Sequence, residues 1–215
     1  MSAMPPPVFD AAFQERLSDL FAWRRDVRSF RPDPLDDGLL DRLIAEACLA
    51  PSVGLAEPWR FVVVADAVRR AAIVASFERA NTAALDTYEG ERAALYARLK
   101  LEGLREAPVQ LAVFSDETTE QGRGLGRQTM PEMLRYSVVT AVHTLWLAAR
   151  ARGIGVGWVS ILDPDAVTAA LDVPPGWHLV AYLCIGYPRE THSEPELARR
   201  GWEQRAALAG RVVMR

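Results

Sequence analysis

Arg24-Arg25-Asp26-Val27-Arg28 places three guanidinium groups within five residues. Like charges this close repel, so the cluster is stable only when acids or an anion lie among them. A phosphate monoester suits it, because the arginine fork matches phosphate oxygens. Asp33, Asp36 and Asp37 are the competing partners, and with them the segment is an ordinary solvated turn. Asp26 is the odd member. A carboxylate beside bound phosphate is repulsive, so Asp26 either pairs with Arg24 or Arg28 or is kept to move a proton.

Two further segments carry groups that could meet a ligand. In Pro51-Ser52-Val53-Gly54-Leu55, Gly54 lets backbone approach a flat molecule and offer its N–H, while Ser52 can bond a ring edge. The same residues also suit a plain helix-to-strand loop. Gly155-Val156-Gly157-Trp158-Val159-Ser160-Ile161 combines a strand end, backbone donors and the Ser160 hydroxyl. Strand ends are where ligands sit in α/β sheets; the alternative is that Ser160 caps the helix after Asp163. Gly122-Arg123-Gly124-Leu125-Gly126-Arg127 looks like a nucleotide loop but lacks the GxGxxG spacing and a strand directly before it, so it reads as a flexible loop. Ser52, His143 and Asp163 could be drawn as a triad, but no GxSxG elbow is present. The histidines are scattered, and Cys48 and Cys184 sit in apolar runs as thiols, so no metal site is expected.

The elements that must position these groups follow from periodicity. Asp10 caps a helix to about Trp23, with Phe13, Leu17, Leu20 and Phe21 on one face. Asp36 and Asp37 open a second helix carrying Leu39, Leu40, Leu43, Ile44 and Ala47. A strand spans Arg60 to Val64, and a helix runs from Asp66 to about Arg79. Residues 81–106 are mostly helical by propensity, and a strand covers Val109 to Phe114. Pro131 fits the first turn of a long helix to about Arg152, with Leu134, Val138, Val142, Leu145 and Ala149 inward. Gly155 to Ile161 is a strand, Asp163-Pro164 starts a helix to about Leu171, and His178 to Ile185 is a buried strand. The order is that of a mixed helix-and-sheet layered domain.

The 215 residues, half of them apolar, suffice for one core. Without repeat or linker, residues 1–215 read as a single domain, with 189–215 as a C-terminal arm that needs a partner surface. A net charge of −3 argues against a nucleic-acid coat. The basic residues are nearly all arginine, and Lys100 is the only lysine. Pro5 to Pro7 form an extended leader. The N-terminal stretch has neither a basic start nor an apolar core, and no run is long enough to span a membrane, so a cytoplasmic protein is expected.

Taken in order, these segments resemble the nitroreductase superfamily. The carriers are the arginine-rich turn, Ala50-Pro51-Ser52, Glu57-Pro58-Trp59, Gly155-Val156-Gly157-Trp158 and Ile185-Gly186-Tyr187-Pro188. Within it, Ala50 to Gly54, Leu99-Lys100-Leu101-Glu102-Gly103 and Gly126 to Met133 resemble the 5,6-dimethylbenzimidazole synthase family. The resemblance implies an α+β fold, a three-layer α-β-α sandwich, in an intertwined homodimer that binds FMN at two interface sites. It implies that Arg24, Arg25 and Arg28 hold the phosphate and flavin edge, with Asp26 and Val27 in the same contact. Pro51, Ser52 and Gly54 meet the ring, Leu101 belongs to a lid within 81–106, and Ser160 lies by the ring or ribityl chain. The implied reaction is oxygen-dependent fragmentation of reduced FMN to 5,6-dimethylbenzimidazole and erythrose 4-phosphate. Asp26 and Ser160 are its expected catalytic residues, and a separate NAD(P)H-dependent reductase supplies the FMNH2. An NAD(P)H-dependent nitroreductase or flavin reductase is the alternative. Ordinary nitroreductases commonly carry Ser where this chain has Asp26 and Asn where it has Leu55. Both changes suit a closed, dry pocket.

Overall fold

The computed structural model describes residues 6–215; Pro5 of the expected leader lies outside them. Near-continuous apolar runs belong to strands buried on both faces. Two of the four strands behave so: β2 (Val109–Asp116) and β4 (Trp177–Gly186) are the inner strands of a sheet ordered β1-β2-β4-β3. β1 (Trp59–Val63) and β3 (Gly155–Val159) form its edges, and every pairing is antiparallel.

Alternation along the inner strands feeds two cores. Leu111, Val113, Leu183 and Ile185 face a layer made by α2 (Leu39–Ala47) and α5 (Met133–Ala151). Ala112, Phe114, Tyr182 and Cys184 face the opposite layer, made by α3 (Ala67–Leu85) and α6 (Pro164–Leu171). This is the expected α+β three-layer sandwich. Burial pushes the Cys184 thiol up to about 12, so it packs as an inert, protonated group at neutral pH.

Three helices start as their acids predict: Asp10, Asp66 and Asp163 each accept a backbone N–H from the first turn. Ser160 therefore caps nothing after Asp163. Elsewhere the boundaries move. α3 runs on to Leu85, six residues past the expected end, because Ala83 and Ala84 sustain it. Pro131 sits in a turn ahead of α5, whose cap is Glu132. Within 81–106, helix is confined to the end of α3 and the short α4 (Gly90–Tyr96), and 97–106 are two turns, 97–98 and 104–106, joined by irregular chain. α1 (Ala11–Trp23) buries none of its residues; Phe13, Phe21 and Trp23 remain 38–49% exposed. Beyond residue 188 the only helix among the described residues is one turn, α7 (Glu196–Arg199). Trp202 then packs on Tyr88 and Tyr96 at α4, under the Arg92 guanidinium. No helix is long and apolar enough to cross a membrane.

The glycines of β3 explain how the arginine turn is seated. Asp26 makes a parallel bridge to Val156 on the free edge of β3, and the Val27 N–H donates to the Val156 carbonyl at 3.0 Å. A methyl group on Gly157 would stand 2.0 Å from the Val27 carbonyl oxygen, so only glycine lets the turn lie flat there. Gly157→Ala is expected to cost about 2 kcal/mol and lower Tm by roughly 4–8 °C in thermal unfolding, because a backbone atom must move.

Candidate active site

The turn after α1 brings its charges to a cleft lined by Arg25, Asp26, Arg28, Lys100, Trp146 and Arg150, and also by Glu190, Glu194, Glu196, Arg199 and Arg200. Both oxygens of Asp26 are engaged. One accepts the Trp158 backbone N–H at 2.8 Å, and the other accepts Arg28 Nε at 2.9 Å. Of the two partners expected for Asp26, Arg28 is the one it takes. Arg28 also donates to the Lys100 carbonyl at 2.9 Å, so it spans from Asp26 to the segment that roofs the cleft.

Arg24 and Arg25 are the unbalanced pair. The acids near in sequence are engaged elsewhere, Asp33 3.4 Å from Arg31 and Asp36 accepting the Tyr187 hydroxyl at 3.1 Å, and of the cleft's own glutamates Glu190 lies 3.0 Å from His192 and Glu196 3.7 Å from Arg200. Among the described residues no carboxylate forms an ion pair with Arg24 or Arg25. Arg24 lies 4.8 Å above the Trp146 ring, whose Nε1–H donates to the Arg25 carbonyl at 3.3 Å. Arg25 donates through Nε to the Ser193 carbonyl at 2.9 Å. Burial draws both guanidinium groups below the usual arginine range, and Arg205 adds repulsion at both, opposed at Arg24 by Asp26. Two half-buried guanidinium groups without an ion-pair partner, at the edge of a cleft whose other charges are mixed, are where an added anion would find balance.

Arg205, Trp146, Lys100 and Glu106 were not singled out from the sequence as site residues. Arg205 carries no local signal, being one arginine in a tail rich in them. Trp146 belongs to the helical run of α5, read there only for its apolar face.

The other expected residues are placed as follows. Val27 packs its side chain on Gly155. Leu101 is half-buried and packs against the core that holds Phe30. Ser160 is exposed just past β3, two residues beyond the Trp158 N–H that Asp26 holds, about 7 Å along the strand. Pro51, Ser52 and Gly54 are not brought to this cleft within one protomer. Their loop is bonded to the first half of α5: the Val53 N–H donates to Ser137 Oγ at 3.0 Å, and Thr140 Oγ1 donates to the Pro51 carbonyl at 2.9 Å. The arginine turn sits instead by Trp146, some 13 Å of helix rise from Ser137. β1, into which the loop leads, lies four strand spacings from the turn, about 19 Å.

The loop is itself a strained device. Gly54 has φ +56°, and a methyl group there would meet the Leu125 carbonyl at 2.8 Å. Leu55 and Glu57 hold φ +57° and +42°, rare for such residues. Ser52 Oγ accepts the Glu57 N–H at 3.1 Å, and Gln121 Nε2 donates to the Leu55 carbonyl at 2.9 Å. The strain presents Leu55 outward, 71% exposed. The Gly122–Arg127 segment forms a short turn seated against this loop. No group of His, Cys, Asp and Glu able to hold a metal ion occurs among the described residues.

Known proteins of similar sequence and fold place the chain in a family. The model of the nitroreductase family matches residues 21–187. A 5,6-dimethylbenzimidazole synthase of Rhodospirillum rubrum is 64% identical over 93% of this chain and 94% of its own length. A second protein of that description, from Rhodobacter capsulatus, is 50% identical over 91% and 95%. Among solved structures, iodotyrosine deiodinase bound to FMN and 3-iodo-L-tyrosine superimposes with a TM-score of 0.69 at 28% identity, covering 82% of this chain and 91% of that one. The chain belongs to the nitroreductase family, and within it to the group of the 5,6-dimethylbenzimidazole synthases.

Proposed function

We propose that the cleft binds reduced FMN and that the chain catalyses its oxygen-dependent fragmentation to 5,6-dimethylbenzimidazole, the lower ligand of vitamin B12, and erythrose 4-phosphate. The observation that carries the binding reading is the half-buried pair Arg24 and Arg25, neither with a carboxylate ion-pair partner among the described residues, while the exposed Arg205 adds positive charge nearby. A phosphate monoester supplies the missing charge. The identity to proteins described as 5,6-dimethylbenzimidazole synthase supports the reaction. Reduced FMN would bring the electrons and carbon atoms, and molecular oxygen would be the oxidant.

The chain's own residues then divide the work. Arg24, Arg25 and Arg205 hold the phosphate. Arg28, fixed by Asp26, presents its remaining donors to the N1 and O2 edge, where negative charge collects on reduction. Asp26 moves a proton and Ser160 orients the ribityl hydroxyls. Val27 and Leu101 exclude water beside them. Pro51, Ser52 and Gly54 cover the ring from a second copy of the chain, with the Gly54 N–H toward N5. The separation of that loop from the turn within one protomer supports a homodimer with two shared sites. So do the exposed apolar face of α1 and the exposed Leu208, Val212, Val213 and Met214 of the 189–215 arm. We read the chain as one domain with that arm, working in the cytoplasm beside a separate NAD(P)H-dependent flavin reductase.

The test is to reduce FMN anaerobically with the protein, admit air and chromatograph the products. The expected result is 5,6-dimethylbenzimidazole with loss of flavin. Recovery of intact FMN, together with sustained NADPH oxidation on a nitroaromatic, would establish the nitroreductase alternative.

A further inference from the structure

The chain's single lysine lies in the roof of the cleft, and one carboxylate holds it there. Glu106 bonds Lys100 Nζ through one oxygen, and its other oxygen accepts the Phe30 backbone N–H at 3.0 Å. Arg189, the first residue past the Phe30–Pro188 bridge, stands 3.9 Å from that second oxygen. Glu106 thus touches three segments through one side chain: the exit of the arginine turn, the roof, and the start of the C-terminal segment. Burial works against the charged form of Glu106. The hydrogen bonds from Lys100 and Phe30 outweigh it and hold the carboxyl below its usual range. The backbone of the same lysine accepts Arg28. A continuous chain of contacts therefore runs Trp158, Asp26, Arg28, Lys100, Glu106, Phe30.

We propose that Glu106 is a positioning residue that latches segment 97–106 over the cleft. Through the Lys100 carbonyl it fixes Arg28 against Asp26 and keeps water from the bound ligand. Glu106→Gln removes the charge, and with it the pairs to Lys100 and Arg189, while Lys100→Met removes the first pair alone. The amide oxygen can still accept the Phe30 N–H, but its NH2 would face the Lys100 ammonium, donor against donor.

One lysine means that a lysine-specific endoprotease cuts this chain at one bond, Lys100–Leu101, inside the latched segment. Cleavage needs that segment to open locally, so its rate reports the latch. We expect FMN to slow cleavage of the unmodified protein, and Glu106→Gln to be cut about tenfold faster, with FMN giving little protection. Glu78→Gln, which removes only the exposed Arg105 partner, is the control and should change the rate less than about twofold. Hydrogen exchange across 97–106 reads the same opening in Lys100→Met, which the protease cannot cut, and keeps the test decisive if Glu106→Gln does not fold.

A second readout rests on the proposed reaction. With the roof loose, reduced flavin is oxidised without fragmentation, FMNH2 + O2 giving FMN + H2O2. Glu106→Gln and Lys100→Met should move output from benzimidazole to peroxide by about tenfold, with Lys100→Arg restoring it. Wild-type cleavage and FMN protection in Glu106→Gln, together with wild-type exchange across 97–106 in both Glu106→Gln and Lys100→Met, would overturn the latch. If the unmodified protein makes no benzimidazole, the functional reading fails, and proteolysis and exchange still decide the latch.

Discussion

Arg24→Glu and Leu55→Asp protomers, each inactive alone, are expected to recover about a quarter of the unmodified activity when mixed and reassembled. Arg24→Glu sets a carboxylate beside Asp26 and reverses the charge that meets phosphate, so its own activity should fall at least about a hundredfold. Leu55→Asp is chosen because it should not disturb its own subunit. The side chain is exposed, and Asp tolerates the positive φ at that position better than Leu. Its effect should fall on the neighbouring site, where a carboxylate would meet an anionic ring. If each site takes its arginine turn from one copy and its Pro51–Leu55 loop from the other, random pairing gives half mixed dimers, each with one intact and one doubly damaged site. A quarter of full activity follows. Recovery indistinguishable from zero, with mixed dimers verified by mass, would mean that the turn and the loop serve a site within one chain, or no common site.

The geometry behind that prediction was only partly legible in the residues. What is local could be read. The capping acids Asp10, Asp66 and Asp163 sit where their helices start, and the apolar runs at 109–114 and 178–185 marked the strands β2 and β4, though not the two cores they feed. The arginine turn, by its own charge density, called for acids or an anion, and left open which. What depends on distant contacts could not be read. Gly155 and Gly157 look like flexibility in a strand, yet they are there because Val27, some 130 residues earlier in the chain, lies on them. Asp26 could be expected to pair with Arg24 or Arg28, but its hold on the Trp158 N–H needed the bridge to β3. Arg205 reaches the turn from the far end of the chain, and Glu106 reaches Phe30 across 76 residues. The apolar stripe of α1 reads as a core face by period, but within one protomer it is uncovered. Periodicity reports that a face wants burial; it does not say which molecule supplies the cover.

Asp26→Asn should lower benzimidazole output by about a hundredfold or more while leaving FMN binding intact or tighter. The sign of the binding effect follows from charge. Asp26 is an anion close to where another anion is proposed to sit, so removing it lessens repulsion. The fold should tolerate the change, because the amide oxygen still accepts the Trp158 N–H. What is lost is the ion pair to Arg28, whose Nε–H would face an amide NH2. Two roles are therefore removed together, holding Arg28 and moving a proton, and the second variant separates them. Arg28→Gln removes the first role together with Arg28's own contact to the flavin edge. If Asp26 serves just to hold Arg28, Asp26→Asn should lose no more output than Arg28→Gln, and the double variant should be no worse than Arg28→Gln. If Asp26 transfers a proton, Asp26→Asn should lose more than Arg28→Gln, and small carboxylic acids in the buffer should restore part of its output. A variant that keeps full output at unchanged FMN affinity would leave Asp26 with the Arg28 contact alone and shift the proton to another group. Ser160 would then be the first to test: it lies two residues past the same Trp158 N–H, with its hydroxyl exposed and free of the capping duty that Asp163 performs.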